Sequence, residues 1–192
     1  MKLFFHFAYT NLSNTYLIGP EDNGDAIIID PGVMDIKLLG IIEGHGYYIR
    51  NILLTHAHEG HAMGLKTLLR IYKADIYSGC DKIMGIPAKK IQHGDTLALD
   101  NFTVDVIGLP GHTGDSLSYK IKDMVFTGDA LGAGTVGPTV HGYAHAMNIN
   151  SLNERILSLD ENLLIFPGHG PPSTVKAEAL FNSYLSEDLS NH

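Results

Sequence analysis

The run LLTHAHEGHAMG, residues 53–64, places His56, His58 and His61 within six positions, directly after an apolar segment and directly before a helical one. The strand that carries LLTH ends near His56. His56 and His58 are therefore two apart in extended chain and point the same way, while His61 enters from the first turn of a helix that starts near Gly60. Imidazole is the commonest protein ligand for zinc and suits iron and other transition metals. A lone histidine is ordinarily structural; three in this pattern point to a metal.

Upstream of this run, LFFHFA, NTYLIG and AIIID read as strands, with the turn PEDNGD joining the last two as a hairpin. A helix follows Asp30-Pro31-Gly32, with Ile36, Leu39 and Ile42 as its apolar stripe and the glycines of EGHGY as its end. YYIRNILLTH returns to strand. Residues 62–73 repeat apolar side chains at Leu65, Leu68, Leu69 and Tyr72, the spacing of an amphipathic helix, and ADIYSG resumes the sheet. From about residue 95, TLALD, FTVDVIGLP, SLSYKI and MVFTGD read as an antiparallel meander. Residues 130–148 are rich in glycine and carry His141, Tyr143 and His145, which reads as a long loop. A helix near 150–158, a strand NLLIFPG and a helix near 174–185 close the chain. The order of strands then helices thus occurs twice. Two similar halves packed sheet to sheet, helices outside, would form an α+β fold, a four-layer αββα sandwich, with residues 1–192 as one domain.

A chain of 192 residues that is 44% hydrophobic and 18% charged can bury a core of that size. No apolar run approaches the ~18 residues of a membrane helix, and the opening block MKLFFHFAYTN, broken by His6, is too short for a secretory signal. The expectation is a cytoplasmic protein. A net charge of −8 with thinly spread Lys and Arg offers no basic stripe for phosphates, so no nucleic-acid partner is expected. The single cysteine, Cys80, excludes an internal disulfide and any Cys-rich zinc finger, so a metal site must be built from His and carboxylate. Eleven histidines are available, and they do not cluster at a terminus as a tag would.

Three further candidate ligands stand at the ends of apolar strands: His112 in LPGHTGDS, Asp129 in VFTGDAL and His169 in IFPGHGP. Each follows a glycine, which lets the backbone turn and leaves room for a close approach. These motifs, with Asp30-Pro31-Gly32 and THAHEGH, resemble the metallo-β-lactamase superfamily, and in particular its short glyoxalase II-like hydrolases, in order and spacing over nearly the whole chain. The resemblance implies the αββα sandwich with a metal site at one edge. It assigns His56, His58 and His112 to a first metal, His61 and His169 to a second, Asp129 as the bridge between them, and Asp30 as support behind the ligands.

The chain departs from the family in two places. The family pattern His-x-His-x-Asp-His puts its aspartate where this chain has Gly60, so the second site keeps only His61, His169 and Asp129. Three ligands still leave the open positions of a catalytic-type site, but a weaker one. Glu59 is either a substitute ligand or a complement to the positive end of the following helix. In addition, the segment GAGTVGPTVHGYAHAM has Pro138 near where glyoxalase II-like proteins carry a cation, and the helical domain that grips glutathione is not matched. His141, Tyr143 and His145 either line a different pocket or are plain loop residues. Two short motifs are set aside. GDSL, residues 114–117, lacks the Asp-x-x-His partner of a serine hydrolase, and GAGTVG, residues 132–137, lacks a Rossmann context.

The expected function is a metal-dependent hydrolase of a small ester, thioester or lactone, with one or two zinc ions, or iron or manganese, generating hydroxide from water at neutral pH. The catalytic group is then a metal-bound water, with no protein nucleophile. Alternatives are an oxidoreductase resembling the persulfide dioxygenase branch, with one iron on His56, His112 and Asp129, and a catalytically impaired family member.

Overall fold

The structure is a computed structural model and describes residues 1–186. The chain forms two compact units, Met1–Ile91 with Ala98–Phe102, and Gln92–Leu97 with the chain from Thr103 onward.

The first unit contains β1 (Lys2–Ala8), β2 (Ser13–Gly19), β3 (Gly24–Ile29), α1 (Ile36–Gly44), β4 (Tyr47–Leu53), α2 (Glu59–Ala62), α3 (Leu65–Ile71), β5 (Asp75–Ser78) and the short strands β6 (Lys82–Ile83), β7 (Ile86–Pro87) and β8 (Lys89–Lys90). Its sheet runs β1-β2-β3-β4-β5-β8. The first three strands are antiparallel, while β3, β4 and β5 are parallel. Parallel neighbours need a crossover, and the helices between them provide it. Leu38 and Ile42 of α1 and Leu65 and Leu68 of α3 join Leu17, Ile28, Ile49 and Ile52 of the sheet in one buried cluster. Burying each such side chain contributes about 1.5–3 kcal/mol.

The second unit contains half of β9 (Thr96–Leu99) and most of β10 (Phe102–Gly108), then β11 (Leu117–Ile121), β12 (Met124–Gly128), β13 (Leu131–Gly132), β14 (Thr135–Val136), α4 (Gly142–Arg155), β15 (Leu164–Pro167), β16 (Ser173–Thr174), α5 (Val175–Phe181) and α6 (Ser183–Ser186). Its sheet runs β16-β15-β12-β11-β10-β9. β10 and β12 are each antiparallel to β11, and β15 is parallel to β12. The C-terminal ends of β10, β12 and β15 therefore lie at one edge of the sheet. Leu109, Val125, Ile149, Leu152, Ile156 and Ile165 form the core of this unit.

Two expectations are corrected. The stripe of α1 is Leu38 and Ile42, four apart; Ile36 is 87% exposed and Leu39 is only partly buried. Ile36 directly follows the N-cap Asp35, whose Oδ1 accepts from Leu38 N at 2.9 Å, and this fixes the helix rotation. Residues 130–148 are not a loop throughout. They hold the β13–β14 hairpin and the first half of α4, which starts eight residues earlier than its apolar pattern suggests. His141 caps α4 by accepting from Ala144 N at 3.2 Å through Nδ1. Among the described residues no helix is long and apolar enough to cross a membrane.

Candidate metal centre

The first unit brings His56, His58 and His61 together around the end of β4. The ring centroid of His56 lies 4.6 Å from that of His58 and 4.4 Å from that of His61. His58 is the extended residue before α2, and His61 is buried in its single turn. The parallel pairing of β3 and β4 aligns Ile29 with Leu53, so Asp30 arrives beside Thr55. Asp30 Oδ1 accepts from Thr55 N at 2.8 Å, and Oδ2 accepts from Thr55 Oγ1 at 2.6 Å. The same Oδ2 lies 3.1 Å from His61 Nδ1.

These contacts fix the tautomers. With its proton given to Asp30, Thr55 Oγ1 is an acceptor toward His56 Nδ1 at 3.0 Å. His61 Nδ1 faces a carboxylate oxygen. Both rings thus carry the proton on Nδ1 and present a lone pair at Nε2, the arrangement in which a carboxylate or its relay orients a metal-binding histidine.

Asp30 adopts a left-handed conformation, φ 50°, held by Thr15 Oγ1 donating to its carbonyl at 2.7 Å. Gly64 N donates to Pro31 O at 2.8 Å, so the helix segment that bears His61 rests on the Asp30 turn. A Cβ on Gly64 would come within 2.5 Å of that carbonyl, and only glycine permits the approach.

In the second unit the strand ends place the other three candidate ligands. Gly128 pairs with Pro167, and Gly168 N donates to Gly128 O at 2.8 Å, which brings Asp129 beside His169. Asp129 Oδ2 stands 3.5 Å from His169 Nε2 and 3.7 Å from His112 Nε2. Both separations exceed a good N–H···O bond. They approach the spacing of two ligands on one ion, since groups about 2.0–2.1 Å from zinc lie roughly 3.3 Å apart at tetrahedral angles. His112 Nδ1 contacts Pro138 O at 2.7 Å, so its lone pair is also at Nε2.

α4 packs behind both turns. Asn148 Nδ2 donates to Ala130 O at 3.1 Å, and a Cβ on Gly111 would overlap Asn148 and Ala144 O. Beside Asp129 and His169 opens a cavity of about 310 Å³, walled by Gly132, Thr135, Val136, Gly137 and Pro138 and with no Lys or Arg in its lining among the described residues.

The donor set suits a transition metal: imidazole nitrogens, of which His56, His61 and His112 have a partner on Nδ1, and the Asp129 carboxylate. Sequence reasoning missed two supports. Thr55 stood in the quoted run next to His56, and its hydroxyl was the available signal; the carbonyl of Pro138 has no side-chain signal at all. Glu59 opens α2 with an exposed side chain that makes no ion pair among the described residues, the placement of a helix-end charge. His141 and Tyr143 are exposed, and neither they nor His145 lines the cavity beside Asp129; Tyr143 borders a separate groove on α4. Ser116 Oγ accepts from Thr113 N at 3.1 Å inside its own turn, and residues 132–137 are a hairpin, so neither set-aside motif is a site.

Residues 8–84 match the family model of the metallo-β-lactamase superfamily. The chain is 30% identical to "Probable metallo-hydrolase YqgX" of Bacillus subtilis strain 168, covering 91% of this chain and 92% of that one. It is 28% identical to "Hydroxyacylglutathione hydrolase GloC" of Haemophilus influenzae, covering 86% and 90%. The crystal structure of ETHE1 from Myxococcus xanthus superposes with a TM-score of 0.85 at 27% identity, over 95% of this chain and 84% of that one. An α+β fold that carries supported imidazoles and a carboxylate at its strand ends, with these relatives along nearly its whole length, makes this chain a member of the metallo-β-lactamase superfamily.

Proposed function

We propose that the chain is a metal-dependent hydrolase of small esters, thioesters or lactones that carry no negative charge. The proposed ligands are His56, His58 and His112 for one metal and His61 and His169 for a second, with Asp129 serving both. Zinc, iron and manganese all suit such ligands. A metal held there would lower the pKa of water to about 7 and polarise a carbonyl, so no protein nucleophile is required.

The observation that carries the substrate class is the cavity beside Asp129 and His169. Among the described residues it has no Lys or Arg in its lining. A substrate carboxylate seated against this wall would lose its hydration without gaining a basic side chain as partner. Thr135 and Val136 offer a hydroxyl and an apolar surface to a short neutral chain. The hydrolase reading is supported by the names of the YqgX and GloC relatives. Of these, the glutathione-directed name suits this chain least, because Pro138 stands near where the resemblance places a cation.

The test is turnover by metal-loaded protein of a neutral short-chain ester, thioester and lactone beside a glutathione thioester. Faster cleavage of the neutral set, abolished by a chelator and restored by metal, supports the reading. Preference for the glutathione thioester contradicts it.

Gly60 favours one second reading. A second site short of its family aspartate suits a one-metal enzyme, and a single iron on His56, His112 and Asp129 would serve persulfide oxidation. Iron content with oxygen uptake on a persulfide would select that reading over the first.

A further inference from the structure

The wall of the cavity beside Asp129 is the β13–β14 hairpin, two residues per strand, too short to hold its own position. What holds it is a carboxylate. Glu178 on α5 is 2% exposed, an unusual burial for a charged side chain. Gly134 N, at the hairpin tip, donates to Glu178 Oε2 at 3.0 Å and Oε1 at 3.2 Å. Ser173 Oγ donates to Oε1, and Asn182 Nδ2 donates to Oε2 at 2.7 Å. Asn182 Nδ2 also reaches Thr135 O at 3.2 Å.

We propose that Glu178 is a positioning residue for the substrate cavity: by gripping Gly134 it sets where Thr135 and Val136 stand, and so how tightly the site holds an acyl group. The consequence for substrate rests on the hydrolase reading above; the grip on the hairpin does not. Glu178 touches none of the proposed metal ligands. Both oxygens of the carboxylate accept, so an apolar replacement takes this acceptor from three donors, among them the fully buried Asn182. Glutamine keeps most of the network. Its Oε1 serves Gly134 and Asn182, and its amide donates to Ser173 Oγ, whose hydroxyl can turn to accept.

The experiment compares E178A, E178Q and N182A with the unsubstituted protein, all zinc-loaded. Amide hydrogen exchange is followed at Gly134 and Thr135, and KM and kcat are measured for 4-nitrophenyl butyrate. The expected result for E178A is faster exchange confined to the hairpin and a KM raised roughly tenfold, with kcat and zinc content nearly unchanged. E178Q should restore both readouts, and N182A should reproduce the exchange change more weakly, which keeps the test decisive if E178A does not fold. Unchanged exchange at Gly134 in E178A and N182A would overturn the proposal. So would faster hairpin exchange with KM unmoved, or E178Q behaving as E178A does. Failure of the unsubstituted protein to cleave the ester would count against the hydrolase reading instead, and the exchange comparison would still decide whether Glu178 holds the wall.

Discussion

Asp30 Oδ2 lies 3.1 Å from His61 Nδ1, with the two side chains 3% and 1% exposed. The same oxygen accepts the Thr55 hydroxyl, which in turn meets His56 Nδ1. One carboxylate therefore orders two imidazoles, proposed as ligands of different metals, one directly and one through a relay.

Removing that support should weaken metal binding without removing a ligand. Asp30→Asn should lower affinity for zinc by about 10–100-fold, the usual cost of losing a partner behind a metal-binding histidine. Thr55→Val, which keeps the shape and deletes only the relay, should cost less and leave the His61 side intact. Competition with a chromophoric chelator measures both. Equal affinities for all three proteins would show that the contacts are incidental.

Gly60→Asp should strengthen the second site. A Cβ on Gly60 meets Asn11 Nδ2 at 3.5 Å, an ordinary contact, and the Gly60 carbonyl already accepts from Asn11 Nδ2 and from Ser13 Oγ. The expected outcome is a higher metal-to-protein ratio or a tighter second metal by titration calorimetry. The same stoichiometry and affinity in both proteins would contradict this account of Gly60.

Two glycine substitutions should move stability in opposite directions. Gly111 has φ 143° and no room for a Cβ against Asn148, so Gly111→Ala should cost about 2–3 kcal/mol and displace His112. Gly40 lies inside α1 with nothing within 4 Å, so Gly40→Ala should gain about 0.5–1 kcal/mol. Thermal unfolding of the two variants checks the sign of each.

The strand ends were legible because period-two apolar runs stop at Gly-His and Gly-Asp pairs, and a glycine that lets the chain turn is a sequence signal. The start of α4 was not. GYAHAMNIN contains few strong helix formers, and His141 lies outside the usual capping residues. The rotation of α1 was not legible either, since spacings of three and of four both fit a helix and the Asp35 cap decides between them. Among the supports, Thr55 could be read from its place beside His56. The Pro138 carbonyl could not, because a backbone acceptor depends on the path of the chain rather than on residue type.

Placing a cation in the cavity should change substrate preference. Thr135→Lys introduces one at an exposed lining position. It should shift relative kcat/KM roughly threefold to tenfold toward an anionic glutathione thioester and away from a neutral ester. Steady-state kinetics on the two substrates reads the shift, and an unchanged ratio would mean that the anionic part of the thioester does not reach this wall.

The most direct test of the central claim is elemental analysis of protein purified without chelator, beside His58→Ala and His112→Ala. The account predicts about one or more equivalents of zinc, iron or manganese per chain, reduced in both variants. Metal-free protein that takes up none of these ions on reconstitution, or a metal content the substitutions leave unchanged, would contradict it.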